Sequence, residues 1–149
     1  MADPRAAVKF EEIGATYATF KIDNSTITYD ATKGGGSASV GLAVALSADA
    51  TVALTAADDT VLGKLIRVES DNRATVQIGG AMTLAAGASV SVTAGKKIAG
   101  ALGASSARGY IKEVANAGSS PSQTEVNNIL KGRGLILDAS DTTAVAVWL

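Results

Sequence analysis

The stretch KLIRVESDNRATVQI, from Lys64 to Ile78, decides the fold class. Two runs of alternating apolar and polar residues flank Asp71-Asn72, a pair that tolerates the positive φ angles of a two-residue turn. Because every second side chain of a strand lies on the same face, this pattern predicts a β-hairpin. The residues expected to point inward are Ile66, Val68, Val76 and Ile78. Those expected to point outward are Arg67, Glu69, Thr75 and Gln77.

Similar patterns recur along most of the chain, as short strands separated by turn signals. A second hairpin is expected from Tyr17–Ile22 and Thr26–Tyr29, joined by a turn at Asp23-Asn24-Ser25. The only helical pattern is Thr124–Gly132, with Ser122 as N-cap and Gly132 as the C′ residue. The sequence therefore predicts a mainly β fold, a small barrel or sandwich-like domain with at most one short helix. A mixed α+β fold with one short helix is the second interpretation.

The chain closes on two further apolar runs, Arg133–Leu137 and Thr143–Leu149, which we expect to be strands joined by a turn at 138–142. The last strand is apolar on both faces, so we expect burial on both sides, in a central strand or at a subunit interface. Trp148 is expected to be the large anchor at its end. The predicted strand or subunit packing residues are Val145, Val147, Trp148 and Leu149.

Composition indicates one domain with a thin core. The chain has 149 residues, and its 47% hydrophobic content is mostly Ala and Val, with only 4% aromatic residues. Small side chains bury little apolar area each, so oligomer or partner contacts are expected to add burial. Charged residues make up 18% of the chain, below the average of about 25%, which leaves much neutral surface.

Several kinds of chemistry are missing from the sequence. There is no Cys and no His, which excludes disulfides, thiolate chemistry, Cys/His zinc sites and imidazole triads. The glycine-rich stretches at 34–37 and 95–97 lack the P-loop residues. The paired acids Glu11-Glu12 and Asp58-Asp59, and Asp138 with Asp141, are interpreted as solvated or turn residues. We therefore expect no enzyme activity, no cofactor and no metal site.

Charge and hydropathy exclude two classes of partner. The formal net charge is −1, with acids and bases mixed, so the basic surface that nucleic acid requires is not expected. The N-terminal stretch MADPRAAVKFEE has no apolar secretory core, and the most apolar region, 42–57, is interrupted by Asp49. We therefore expect no membrane span.

The second half of the chain has a series of turn-plus-strand segments: Leu62–Ile66, Thr75–Gly80, Ala85–Val90, Gly95–Ala101, Gly109–Ile111 and Gly132–Val147. This series resembles the head decoration (capsid cement) proteins of tailed bacteriophages, best over Ala56–Leu149. The resemblance implies a β-rich structural protein, made in the host cytoplasm and added to the outer surface of the expanded capsid. It also implies homotrimers that clamp neighbouring major capsid proteins, and hence the major capsid protein and the chain itself as partners.

Such proteins often carry an N-terminal arm, and residues 1–12 are interpreted as one here, ahead of a single decoration domain at 13–149. Pro4 favours extended backbone, and apolar side chains could anchor in a capsid groove or add a strand to its sheet. The capsid-contact residues expected from this reading are Arg5, Val8, Lys9 and Phe10. The alternatives for residues 1–10 are a disordered end or the first strand of the domain.

Two other functional classes stay open at this point. The chain could be another virion surface module, from a tail tube, spike or baseplate, since such modules share its composition. A carbohydrate-binding β-module is less favoured because aromatic platforms are scarce. Tyr17, Tyr29 and Tyr110 are the aromatic residues whose replacement would test that class.

Overall fold

A computed structural model describes residues 12–149, and the prediction of a mainly β fold built on a small barrel is confirmed. Five strands close into a barrel in the order β1-β3-β2-β4-β5. Their bounds are β1 Thr16–Ile22, β2 Ala43–Ala48, β3 Thr51–Leu54, β4 Gly63–Val68 and β5 Arg73–Gly79. The remaining elements are β6 Ala81–Leu84, β7 Ile98–Ala101, β8 Tyr110–Glu113, the helix α1 Gln123–Lys131, β9 Leu135–Asp138 and β10 Val145–Trp148.

The barrel closes through β1, which pairs parallel with β3 and antiparallel with β5. Closure pairs both edges of every barrel strand and so leaves no open sheet edge. The interior is filled mainly by medium-sized and small apolar side chains, and the partly buried Phe20 packs against them. Its buried residues are Ile22, Ile27, Val44, Val52, Leu54, Leu65, Val68, Ala74 and Val76.

The hairpin of β4 and β5 forms at the predicted place, with a longer turn than expected. The Glu69 N–H donates to the Arg73 carbonyl at 2.8 Å, and the Asn72 N–H donates to the Glu69 carbonyl at 3.0 Å. Asn72 adopts a φ of 61°, which Asn tolerates better than most residues. The turn therefore spans Glu69 to Arg73 rather than Asp71-Asn72 alone.

Two of the predicted orientations in this hairpin are wrong. The register shifts between Leu65 and Arg67, so Leu65 is fully buried while Ile66 is only half-buried. An extra residue at a bulge reverses the alternation of faces beyond it, which simple periodicity cannot anticipate. Gln77 was expected outside but is buried, because its Nε2 donates to the carbonyls of Gly79 and Ala81 at 3.3 and 3.1 Å.

The predicted hairpin of Tyr17–Ile22 with Thr26–Tyr29 is also wrong in its second arm. β1 forms, but residues 26–29 turn away instead of pairing with it. The Asp23 carboxylate accepts hydrogen bonds from the Thr26 and Ile27 N–H groups at 2.9 and 3.0 Å. This local ring of bonds competes with a strand and places Ile27 inside the barrel.

A second core lies beside the barrel, between the β6-β10-β9 sheet and the β7-β8 hairpin. The sheet is antiparallel, with β10 paired to β6 on one side and to β9 on the other. The closing strand is thus a central strand, one of the two arrangements its sequence allowed. The buried residues of this core are Ala43, Val61, Met82, Leu84, Ile98, Ile111, Ile136, Val145 and Val147.

Arg133 joins the two cores. Its Nη1 donates to the Val61 and Leu62 carbonyls at 3.3 and 2.7 Å, and its Nη2 donates to the Ile78 carbonyl at 2.8 Å. The Val61 and Leu62 carbonyls lie just before β4, and the Ile78 carbonyl lies near the end of β5. Arg133 itself lies just before β9. A planar guanidinium with several donors satisfies three carbonyls at once, so the side chain holds the second core against the end of the barrel.

The single predicted helix is present, with Ser122 as its N-cap. The Glu125 N–H donates to Ser122 Oγ at 3.2 Å, and the Ser122 N–H donates to Glu125 Oε2 at 2.7 Å, which completes a capping box. Gly132 is the C-cap of the helix, with a φ of −60°, one position earlier than the C′ position expected for it. None of the residues of α1 is buried, which leaves most of its apolar face uncovered.

The predicted arm falls almost entirely outside the described residues. Arg5, Val8, Lys9 and Phe10 all precede the first described residue, Glu12. The Glu12 N–H donates to the Ala81 carbonyl at 3.1 Å, and the Ala81 N–H donates to the Ile13 carbonyl at 2.8 Å. The chain therefore enters the described fold along β6.

Candidate interaction surfaces

An apolar surface formed by Ile13, Leu135 and Trp148 lies at the end of the closing strand; we call it the Trp148 surface. Leu135 is the cross-strand partner of Trp148, so their side chains share one face of the sheet. On the other side of β10, Ala81 of β6 is the cross-strand partner of Trp148, and its N–H donates to the Ile13 carbonyl. The exposed fractions are 54% for Ile13, 43% for Leu135 and 44% for Trp148. Large apolar side chains clustered in this way mark contact sites.

The position of the indole ring is set by glycine. Gly14 has a φ of +67°, and a methyl group at its Cα would come within 2.9 Å of the Trp148 Cη2 atom. The ring therefore lies directly against backbone, where any larger residue would displace it. The Trp148 main chain is also held, because the neighbouring Leu149 and Gly80 exchange two backbone hydrogen bonds of 3.1 Å.

The structure separates the four predicted packing residues of the C-terminal strand. Val145 and Val147 are fully buried in the second core. Leu149 packs against that core while partly buried, and Trp148 lies on the opposite face. Trp148 lies close to Gly14 and is 44% exposed in the single chain, so its role as an anchor at a subunit interface stays a prediction.

A cleft of about 310 Å³ lies between β8 and α1 on another part of the molecule. We call it the α1 cleft. Its walls are partly apolar, from Val90, Ala99, Val114 and Ile129, and partly polar, from Asp58, Lys112, Glu113, Glu125 and Asn128. Its volume is at the lower end of the range for small-ligand sites, about 300–1,000 Å³.

Three of the charged groups in the α1 cleft already have partners. Lys112 Nζ forms an ion pair of 2.6 Å with Asp58 Oδ1. The Glu125 carboxylate accepts a hydrogen bond from the Ser122 N–H. This bond is the larger cause of a lowered pKa of Glu125, and the hydrogen bond with the Ser122 hydroxyl is the smaller one. Glu113 differs, because its Oε2 is buried and has no hydrogen-bond partner among residues 12–149.

The acids that the sequence placed in turns do occupy turns. Asp59 Oδ2 accepts the Ala56 N–H at 2.7 Å. Asp138 Oδ1 accepts the Ser140 N–H at 2.9 Å, which lowers the pKa of Asp138. Asp141 Oδ1 accepts the Thr143 hydroxyl and N–H at 2.7 and 2.8 Å, and these bonds lower its pKa. Across residues 12–149, no three acidic side chains come together as a metal site would require.

The two surfaces define a small β-barrel protein with an apolar contact area and a separate mixed-polarity cleft. Comparison of the chain with protein-family models, curated proteins and solved structures finds no match. The role of each surface must therefore be argued from its own residues. Within the described part of the chain, no helix is long and apolar enough to cross a membrane.

The sequence analysis missed the α1 cleft and the role of Arg133. Glu113 stands two positions after the buried Ile111 in the same strand, so period-two alternation places it on the inward face. A carboxylate at an inward position was a usable signal. Arg133 stands between two glycines, and that context alone does not distinguish a buried guanidinium from an exposed one.

Proposed function

We propose that this protein is a structural virion component that binds the outside of a phage capsid and cements neighbouring major capsid proteins as a homotrimer. The observation that carries the proposal is the Trp148 surface, an exposed apolar area centred on a fixed aromatic ring. Trp is among the residue types that contribute most to binding energy when they are buried at an interface. The resemblance of Ala56–Leu149 to capsid decoration proteins supplies the partner.

The mechanism is multivalent binding without chemistry. A trimer turns the second and third capsid contacts into intramolecular events, which raises avidity by about 10² to 10⁴ when geometry permits. A core of small side chains suits this role, because subunit and capsid contacts add burial. Low surface charge reduces the desolvation cost of these contacts.

The direct test is co-sedimentation of the purified chain with expanded heads assembled from the major capsid protein of the same phage. Wild type is expected to pellet with expanded heads and to stay in solution with free DNA. Trp148→Ala should reduce pelleting at least tenfold. Absence of pelleting by wild type would contradict the proposal.

Tyr29→Ala is the matched control for this experiment. Tyr29 is 40% exposed, close to the 44% of Trp148, and contacts the barrel near Gly36 and Val68. Val68 pairs with the start of β5, whereas the Trp148 surface lies by its end. Tyr29→Ala is therefore expected to pellet like wild type, and equal losses in both variants would mean that the Trp148 surface is not the contact.

A further inference from the structure

We propose that the α1 cleft binds a cationic side chain, Arg or Lys, presented by a partner protein. The geometry points to a site of this kind because a cavity, an uncompensated carboxylate and apolar walls coincide there. The inference stands independently of the capsid proposal, since it depends on Glu113 and its surroundings and not on the Trp148 surface.

Glu113 carries a carboxylate oxygen that is buried without a partner within the described part of the chain. Buried polar atoms in folded proteins are nearly always hydrogen-bonded, and an unsatisfied one needs an explanation. Glu113 Oε2 is buried without a partner, and no cation among residues 12–149 forms an ion pair with this carboxylate. A bound cation would give this buried oxygen the partner that it lacks among residues 12–149.

Two lysines near the cleft, Lys112 and Lys96, already have partners. Lys112, the neighbour of Glu113 in β8, is held by Asp58 at 2.6 Å. Lys96 lies beyond the segment 114–117, and its Nζ donates to Asn116 Oδ1 at 2.8 Å. The cleft thus contains two paired acids, Asp58 and Glu125, and one acid that calls for an external partner.

The apolar walls of the cleft also suit the stem of a basic side chain. Arg and Lys carry a long aliphatic stem below the charge, and such stems pack along apolar surface while the head reaches a polar group. Val90, Val114 and Ile129 supply apolar walls beside Glu113. A cleft of about 310 Å³ is large enough to admit one such side chain.

The helix explains why the side chain would belong to a protein. The apolar residues Val126 and Leu130 of α1 are exposed, Leu130 to 76%, on the element that forms one wall of the cleft. A free amine would leave both uncovered. A polypeptide that inserts a basic side chain into the cleft would also cover this helix face.

The test is an NMR titration of the ¹⁵N-labelled full chain with N-acetyl-arginine amide, with N-acetyl-citrulline amide as the uncharged isostere. The arginine probe is expected to give saturable shifts at the amides of Ser91, Val114 and Asn128, and the citrulline probe to give none. Equal shifts with both probes, or no shifts with the arginine probe, would overturn the proposal without any variant.

Variants and a second ligand complete the experiment. Glu113→Gln is expected to weaken binding of the arginine probe at least tenfold. Glu69→Gln, which removes a surface carboxylate paired with Arg67, should bind like wild type. Unchanged affinity of Glu113→Gln would refute the role of the carboxylate. Binding of agmatine without binding of the blocked arginine would refute a protein side chain as the ligand.

Discussion

At the residue scale, Arg133 shows how one polar side chain holds two apolar cores together. Its guanidinium donates to three carbonyls of the barrel end, two of them at 2.7 and 2.8 Å. The glycines on either side permit this approach: a methyl group on Gly132 would come within 2.7 Å of Val114, and one on Gly134 within 2.4 Å of the Trp148 carbonyl oxygen. The contact therefore depends on the three residues Gly-Arg-Gly together.

Replacing Arg133 by Met keeps the stem and removes the donors. Three partly buried carbonyls then lose their partner, so the free energy of unfolding should fall by about 3 kcal/mol. Urea denaturation measures the change. Arg73→Met is the control, because Arg73 pairs with Asp71 at 3.4 Å on the surface and should cost less than about 1 kcal/mol. Equal costs for the two variants would contradict the joining role of Arg133.

Asp23 links the stability of the barrel to pH. Burial alone would raise its pKa, but hydrogen bonds from Thr26 and Ile27 outweigh burial and hold the pKa below its usual value. A lowered folded-state pKa means that the stabilisation is complete above the unfolded pKa of about 3.9. It is lost as pH falls through the folded value.

The Asp23→Asn variant tests this linkage. It should be less stable than wild type at pH 7, and the difference should narrow as the pH falls toward 3, because the wild-type carboxyl then takes up a proton. Urea denaturation at several pH values measures this difference in the free energy of unfolding. Asp49→Asn is the control, since that carboxylate makes no side-chain hydrogen bond within residues 12–149. A pH-independent gap for Asp23→Asn would contradict the account.

At the scale of elements, α1 is a helix whose ends are well defined and whose faces are hardly covered. Nine residues are too few for an isolated helix to be stable, and none of these nine is buried. The capping box at Ser122 and Glu125 therefore supports the helix in place of packing. This arrangement agrees with a helix whose apolar face is covered by a partner.

Ser122→Ala should destabilise α1 by about 1 kcal/mol without affecting the barrel. Amide hydrogen exchange is the suitable measurement, because it reports opening of each element separately. Exchange should become faster in α1 and stay unchanged in β4 and β5. Ser120→Ala, in the exposed loop before the helix, should leave both unchanged. Faster exchange throughout the barrel would show that α1 is more closely coupled to it than the structure indicates.

The closing strand makes a second prediction at this scale. Deletion of Trp148 and Leu149 removes the paired end of a central strand and the reciprocal bonds with Gly80. The melting temperature should fall, and self-association should weaken because the Trp148 surface loses its central residue. Calorimetry and sedimentation equilibrium measure the two effects. An unchanged melting temperature and assembly state would contradict the role given to this strand.

How far the sequence predicts these elements depends on the range of the contacts involved. Alternation within Lys64–Ile78 predicted the hairpin, because cross-strand partners there are close in sequence. The bulge at Ile66 and the burial of Gln77 depend on bonds that no local pattern encodes. The parallel pairing of β1 with β3 closes the barrel and joins strands that are far apart in sequence. Because alternation reports only on contacts between neighbouring residues, it could not distinguish a barrel from a sandwich.

The candidate sites were predicted less well than the fold. Trp148 stood out as a single large side chain among small ones, but its exposure depends on Gly14, which is distant in sequence. The α1 cleft is built from five separate parts of the chain: 58, 90–91, 99, 112–116 and 125–129. No motif joins these segments, so only the folded structure brings Glu113 and Ile129 to one cavity.

At the scale of the whole molecule, the protein combines a closed barrel, which has no edges, with two uncovered contact areas. Closure leaves the barrel itself without a free strand edge for pairing with another chain. The Trp148 surface and the exposed face of α1 are two apolar surfaces of the described chain. Our account assigns the first to subunit or capsid contacts and the second to a partner with a basic side chain.

The central claim is that this chain is a cement protein on the outer face of a phage head. Cryo-electron microscopy of the particles that contain the chain tests it most directly. The account predicts density for a β-barrel on the head facets, at three-fold or quasi-three-fold positions, with Trp148 in a contact. Density on the tail or baseplate, or particles whose heads lack the chain, would contradict it.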